Sequence, residues 1–172
     1  FEQRYLPLKA VRPAGEDVWI GLDRVRDPGN LGTVIRTADA AGAKGVILIG
    51  DTTDPFATET VRATMGSIFA VPVARTSLEG FLDWRKGFSG LVAGTHLKGA
   101  VDYRTVRYPG RPALLLMGNE QQGLPEALAA ACDVLVRIPQ AGRADSLNLA
   151  VATGVMLFEA RRAALSLPGG AA

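Results

Sequence analysis

A hydroxyl and an amide, Ser146 and Asn148, interrupt an otherwise apolar helical pattern. The stretch IPQAGRADSLNLAVATGVMLFEARR (138–162) starts as a polar loop and turns helical at Asp145-Ser146. It then carries Leu147, Ala150, Val151, Gly154, Val155, Leu157 and Phe158 at helical spacing. A helix this apolar packs against a sheet, a second chain or both, and polar groups in its first turn need partners. Such a pair can hold a polar ligand at the start of the loop. It can also do no more than end a helix, since Asp145 or Ser146 is a sufficient cap.

Other residues invite the same double reading. Arg36 lies six residues after Asn30 on an expected helix, either as a binding cation or as a charge on a solvated face. Asn30 is placed to cap that helix. Glu120, in GNEQQG, is a loop carboxylate free to position a ligand or simply to meet water. The cations are mostly arginine, the side chain suited to two-pronged phosphate contacts, and they cluster at Arg24/Arg26, at Arg104/Arg107/Arg111 and around Arg143. His96 is the sole histidine and Cys132 the sole cysteine. That excludes an internal disulfide and leaves too few ligands for a zinc site. Cys132 reads as a small buried residue, and His96 as non-catalytic.

The elements that must position these groups alternate. Short apolar strands are expected at 18–22, 46–49, 69–73, 91–94, 113–117 and 134–138. Helices are expected from Asn30 to about Ala41, over 55–67, near 78–86 and over 125–131. This pattern is an α/β fold with a mostly parallel sheet flanked by helices. In such sheets ligands sit beyond the carboxyl ends of the strands. DPGNLG, AGTHLKG, GNEQQG and PQAGRADS all fall there, and four converging loops are a stronger signal than any one. Neither a G-x-G-x-x-G fingerprint nor a phosphate-binding P-loop is present, which disfavours ordinary dinucleotide and nucleotide-triphosphate enzymes.

With 172 residues, 48% of them apolar, and a net charge of +2, the chain has material for one packed domain at 18–165. Residues 1–17 hold two prolines and three cations without periodicity and read as a linker or N-terminal arm. Residues 166–172 read as a flexible tail. The start at Phe1 leaves room for a domain upstream. No signal peptide or membrane-length apolar run is seen, so the expected setting is cytoplasmic, without membrane or metal.

Three segments resemble the TrmH/SpoU family of ribose 2′-O-methyltransferases, within the SPOUT class of RNA methyltransferases. They are DRVRDPGNLGTVIRTADAAGAKGVIL (23–48), LLLMGNEQQGLP (114–125) and RIPQAGRADSLNLAVATGVMLFE (137–159). RATMGSIFAVPV (62–73) is similar to the family's connecting segment. The resemblance implies a C-terminal deep trefoil knot, an exception to the general rule against knots. It further implies S-adenosylmethionine (SAM) as methyl donor, with S-adenosylhomocysteine as product. The implied acceptor is the ribose of a structured RNA, tRNA or rRNA, and the implied assembly is a homodimer formed through the first and last helices.

By the same resemblance Arg36 activates the ribose hydroxyl, as base or as electrostatic clamp; because arginine normally stays protonated, the clamp is favoured. Asn30, Glu120, Ser146 and Asn148 complete the catalytic set. Thr95, Gly118, Ile138 and Leu147 hold the cofactor, mainly through backbone. Arg104, Arg107, Arg111 and Arg143 are candidate contacts to RNA phosphates. Gln140 departs from the family pattern, where methionine is usual, and Gln121-Gln122 fill variable positions. The competing readings are a knotted RNA-binding domain without transfer activity and a SPOUT enzyme that methylates a base.

Overall fold

The computed structural model describes residues 2–98 and 101–168. Of the tail expected over 166–172, residues 169–172 lie outside the described residues, as does Gly99 of the AGTHLKG segment. Seven strands form one sheet in the order β3-β2-β1-β6-β4-β7-β5. They are β1 (Val18–Asp23), β2 (Gly45–Ile49), β3 (Val73–Thr76), β4 (Leu91–Thr95), β5 (Val101–Asp102), β6 (Ala113–Met117) and β7 (Val134–Arg137). Every strand pair is parallel. β1, β2 and β6 are buried along their whole length, as strands covered on both faces must be, which is why they read as unbroken apolar runs.

Alternation along these strands feeds two cores. Ile20, Leu22, Val46, Leu48, Leu115 and Met117 face one side. There they meet Leu31, Val34 and Ile35 of helix α1 (Pro28–Ala41), and Met156 and Leu157 of helix α5 (Leu149–Arg161). Trp19, Ile47, Ile49, Leu114 and Leu116 face the other side. Phe81 of helix α3 (Leu78–Lys86) and Leu128 of helix α4 (Glu126–Ala130) cover them. α1 and α5 are neighbours, and Arg161 Nε ties their C-terminal ends by donating to the Ala41 carbonyl at 3.0 Å.

Several expected boundaries move, each for a local reason. The cap of α1 is Asp27, whose carboxylate accepts the Asn30 amide at 2.6 Å, so Asn30 lies inside the first turn. Pro28 takes a first-turn position, where its missing N–H costs nothing. The cap of α5 is Asn148 rather than Asp145 or Ser146, because its Oδ1 accepts both Ala150 N and Val151 N. The helix expected over 55–67 shortens to α2 (Thr58–Ala63) followed by a 3-10 turn at Ser67–Phe69. β3 therefore starts at Val73, not Phe69, and Phe69 stays 67% exposed. The N-terminal arm runs along the β3 edge. Leu6 N donates to Val73 O at 2.8 Å, and Val11 O accepts Trp84 Nε1 at 3.1 Å.

Candidate active site

Loops leaving the carboxyl ends of β1, β4, β6 and β7 enclose one cleft of about 600 Å³. Its lining includes Asn30, Thr95, Gly118, Glu120, Ile138, Ser146, Leu147 and Asn148. Eight of the nine residues expected to handle chemistry or cofactor therefore come together. Arg36 is the exception. It is on the exposed surface of α1, outside the lining, its guanidinium without a hydrogen bond or ion pair among the described residues.

A chain of amides orders the polar wall. The Asn148 carbonyl oxygen is fixed by capping α5, which turns its Nδ2 outward to donate to Asn30 Oδ1 at 3.0 Å. That acceptor role leaves Asn30 Nδ2 as donor, and it reaches Glu120 Oε1 in a long contact of 3.5 Å. Glu120 Oε2 accepts Asn119 Nδ2 at 3.3 Å. One carboxylate thus stands at the cleft mouth, aligned by amides from α1 and from its own loop. Ser146 is exposed in the loop just before α5, with no hydrogen bond among the described residues.

The floor is backbone and aliphatic. Gly118 is buried, and a Cβ there would land on the Gly123 carbonyl carbon and the Leu124 nitrogen. The turn beyond it closes on itself through Asn119 N to Gly123 O at 3.2 Å and Gly123 N to Asn119 O at 2.9 Å. Met117, Leu124, Val136, Ile138, Leu147 and Leu149 supply the apolar lining. Such a cavity suits a flat heteroaromatic group read by main-chain donors and acceptors. Among the described residues no cluster of His, Cys, Asp and Glu could hold a metal ion.

Lining residues without a role in the sequence reading include Asn119 and Leu124, and His96, expected to be non-catalytic, lines the cleft with its neighbour Lys98. His96 Nδ1 lies 2.8 Å from the Lys98 carbonyl oxygen and 3.0 Å from the Lys98 amide, donating to the first or accepting from the second according to its tautomer. Asn119 lay within the GNEQQG segment, where a small amide beside a carboxylate was the available signal. Arg104, Arg107, Arg111 and Arg143 all lie outside the lining. Arg104 is spent on Asp102, donating from Nε at 3.0 Å and Nη2 at 2.6 Å, with its guanidinium 5.9 Å from the Tyr103 ring. Those bonds, the side-chain ones first, hold the Asp102 carboxyl down to about 2. Arg107, Arg111 and Arg143 are exposed and unpaired among the described residues.

Residues 17–158 match the SpoU rRNA Methylase family. Over 140 residues the chain is 41% identical to the 23S rRNA (guanosine(2553)-2′-O)-methyltransferase RlmP of Bacillus subtilis (strain 168), covering 81% of this chain and 56% of the relative. Over 161 residues it is 39% identical to the 23S rRNA (uridine(2479)-2′-O)-methyltransferase of Streptomyces viridochromogenes, covering 90% and 56%. The crystal structure of an AdoMet-bound rRNA methyltransferase from Sinorhizobium meliloti superposes with a TM-score of 0.94 at 64% identity, covering 96% of this chain and 64% of that one. The chain thus spans little more than half the length of the two enzymes from Bacillus and Streptomyces.

Proposed function

The chain belongs to the SpoU rRNA methylase family, and from that premise we propose that it transfers a methyl group from SAM to a ribose 2′-hydroxyl of RNA, ribosomal before transfer RNA. The observation that carries the reading is the Asn148–Asn30–Glu120 chain standing over a cleft floored by Gly118. The residues present fit the donor. A cavity of this size takes a nucleoside-sized ligand, and the bare backbone at Gly118 admits close approach. Apolar walls receive an adenine, and Glu120 offers a carboxylate opposite a sulfonium cation. When bound, SAM supplies an electrophilic methyl group.

Thr95, Gly118, Ile138 and Leu147 hold the cofactor, and Glu120, Asn30 and Asn148 align the acceptor ribose, a gain from orientation. Ser146 is the hydroxyl donor on the same wall. Arg36 steadies the negative charge that develops on the attacking oxygen. Since it stands outside the lining, the RNA or a second copy has to complete that contact. A homodimer is supported by Val151 and Phe158 of α5, 53% and 48% exposed on the face turned from the core. Arg107, Arg111 and Arg143, unpaired and exposed, are the better phosphate contacts of the basic set. Arg104 is the weaker one, being held by Asp102. The same reading includes the family's knot over the C-terminal half. No helix among the described residues is long and apolar enough to cross a membrane, and the same reading takes its cytoplasmic setting from the RNA substrate.

The test is transfer of tritiated methyl from SAM to 23S rRNA and to tRNA transcribed in vitro, followed by digestion to nucleosides. A 2′-O-methylated nucleoside is the expected product. A methylated base would move the chain to the base-modifying reading. SAM binding without transfer to either RNA would favour a silent RNA-binding domain.

A further inference from the structure

Arg24 and Met65 are the non-glycine residues with positive φ among the described residues, at 46° and 50°. A left-handed backbone is unfavourable for an L-residue and persists where its surroundings hold it. Met65 is 72% exposed. Arg24, directly after the end of β1, is held through both its backbone and its side chain.

Its amide donates to Ile49 O at 2.8 Å, and its carbonyl accepts Asn119 Nδ2 at 2.8 Å. Its guanidinium grips the buried Asp23 carboxylate through Nε at 3.1 Å and Nη2 at 3.0 Å. The remaining Nη1 donates to Gln122 Oε1 at 2.9 Å. Gly50, itself at φ +76°, makes room, since a Cβ there would lie 3.0 Å from Arg24 Cγ. Arg24 therefore holds the turn after β6 at two points, Asn119 and Gln122. Glu120 and Gln121 lie between them, and Asn119 Oδ1 secures the turn from within by accepting Gln121 N at 3.0 Å and Gln122 N at 3.2 Å.

We infer that Arg24 is a positioning residue for Glu120. The left-handed backbone aims the carbonyl at Asn119, the Asp23-anchored guanidinium holds Gln122, and together they set where the carboxylate stands in the cleft. Asp23 neutralises the arginine, so the group acts by geometry rather than as a charge directed at Glu120 or at RNA. Its consequence for transfer rate rests on the methyltransferase reading above; its hold on the turn does not.

Gln122→Ala removes one clamp point at an exposed side chain and leaves the Asp23–Arg24 pair whole. Arg24→Lys keeps a cation beside Asp23 and gives up the fork that serves Asp23 and Gln122 together. Amide hydrogen exchange on the full chain, without cofactor or RNA, is expected to quicken over residues 119–123 by roughly threefold to tenfold, the scale of one hydrogen bond, while β1 and β6 keep their protection. Single-turnover transfer from saturating SAM to transcribed 23S rRNA is expected to slow roughly tenfold in Gln122→Ala. In a Glu120→Gln background the same substitution adds no further loss, because both act through one carboxylate. Unchanged exchange in both variants, or an equal rate loss in the two backgrounds, overturns the assignment. A wild-type chain that transfers no methyl group removes the methyltransferase reading instead, and the exchange measurement then decides the clamp.

Discussion

Asn148 Nδ2 donates to Asn30 Oδ1 at 3.0 Å across 118 positions of sequence. The bond joins the cap of α5 to the first turn of α1, and it dictates which way both amides face. The Asn148 oxygen is committed to the α5 amides, so its nitrogen must point to Asn30; the Asn30 oxygen is then committed, so its nitrogen must point to Glu120. Helix capping and site geometry are one network here.

Asn148→Asp separates the two roles. A carboxylate still caps α5 and is favoured at a helix N-terminus, so the melting temperature should stay within about 2 °C of wild type. The donor to Asn30 is lost, and two oxygens face each other. Methyl transfer at saturating SAM is expected to fall by roughly tenfold, the scale of one hydrogen bond. Activity near the wild-type level would show that the Asn30 orientation does not matter to transfer.

Gly118→Ala tests the floor. The added Cβ meets main-chain atoms of Gly123 and Leu124, which cannot rotate aside as a side chain would. Overpacking at such a point costs about 1–3 kcal/mol. Calorimetric titration should show SAM affinity lowered by at least roughly tenfold, with thermal unfolding several degrees lower. A variant that binds SAM as tightly as wild type would place the cofactor away from this turn.

Some of this was readable in the residues and some was not, for reasons the structure makes plain. β1 and β6 were legible because strands covered on both faces must be apolar throughout. β3 was misplaced because it is the edge strand next to the N-terminal arm, and its outer half, Arg75 and Thr76, carries no apolar signal. β5 has two residues and no run to read. The convergence of the cleft loops followed from the rule for parallel sheets. The caps did not, since Asp27, Asn30, Asp145, Ser146 and Asn148 are all capping types and composition does not choose among them. Arg24 was beyond reach: a left-handed arginine looks like any other arginine until its carbonyl is seen holding Asn119.

Cys132 should be inert. Burial first, and the Asp133 carboxylate second, push its thiol up to about 12 from 9.0, and Sγ donates to Leu128 O at 3.2 Å. The folded value lies above the unfolded one. The contribution is therefore complete below about pH 9 and is lost as pH rises from there toward 12, because the unfolded chain gives up its proton first. Alkylation at pH 8 should run on the order of a hundredfold slower than for the same chain in urea. Cys132→Ala should flatten the decline of stability between about pH 9 and 12. Rapid labelling of the folded chain would mean that the α4 region opens readily.

Arg36 offers the sharpest separation of function from fold. It is exposed and unpaired among the described residues, so Arg36→Ala should change stability by about 0.5 kcal/mol or less and leave SAM binding intact. The rate should nonetheless fall roughly 10²–10⁴-fold, which corresponds to about 3–5 kcal/mol of transition-state stabilisation. A residue that contributes so little to the fold cannot lose that much by unfolding. The pH profile then decides how it acts. Arginine keeps its proton throughout the working range, so an electrostatic clamp predicts the same fractional loss at every pH from about 6 to 9, with Arg36→Lys recovering part of the rate. A base would instead move the rising limb of the wild-type profile, and lysine would not restore it. Wild-type turnover in Arg36→Ala under single-turnover conditions would remove the residue from the reaction altogether.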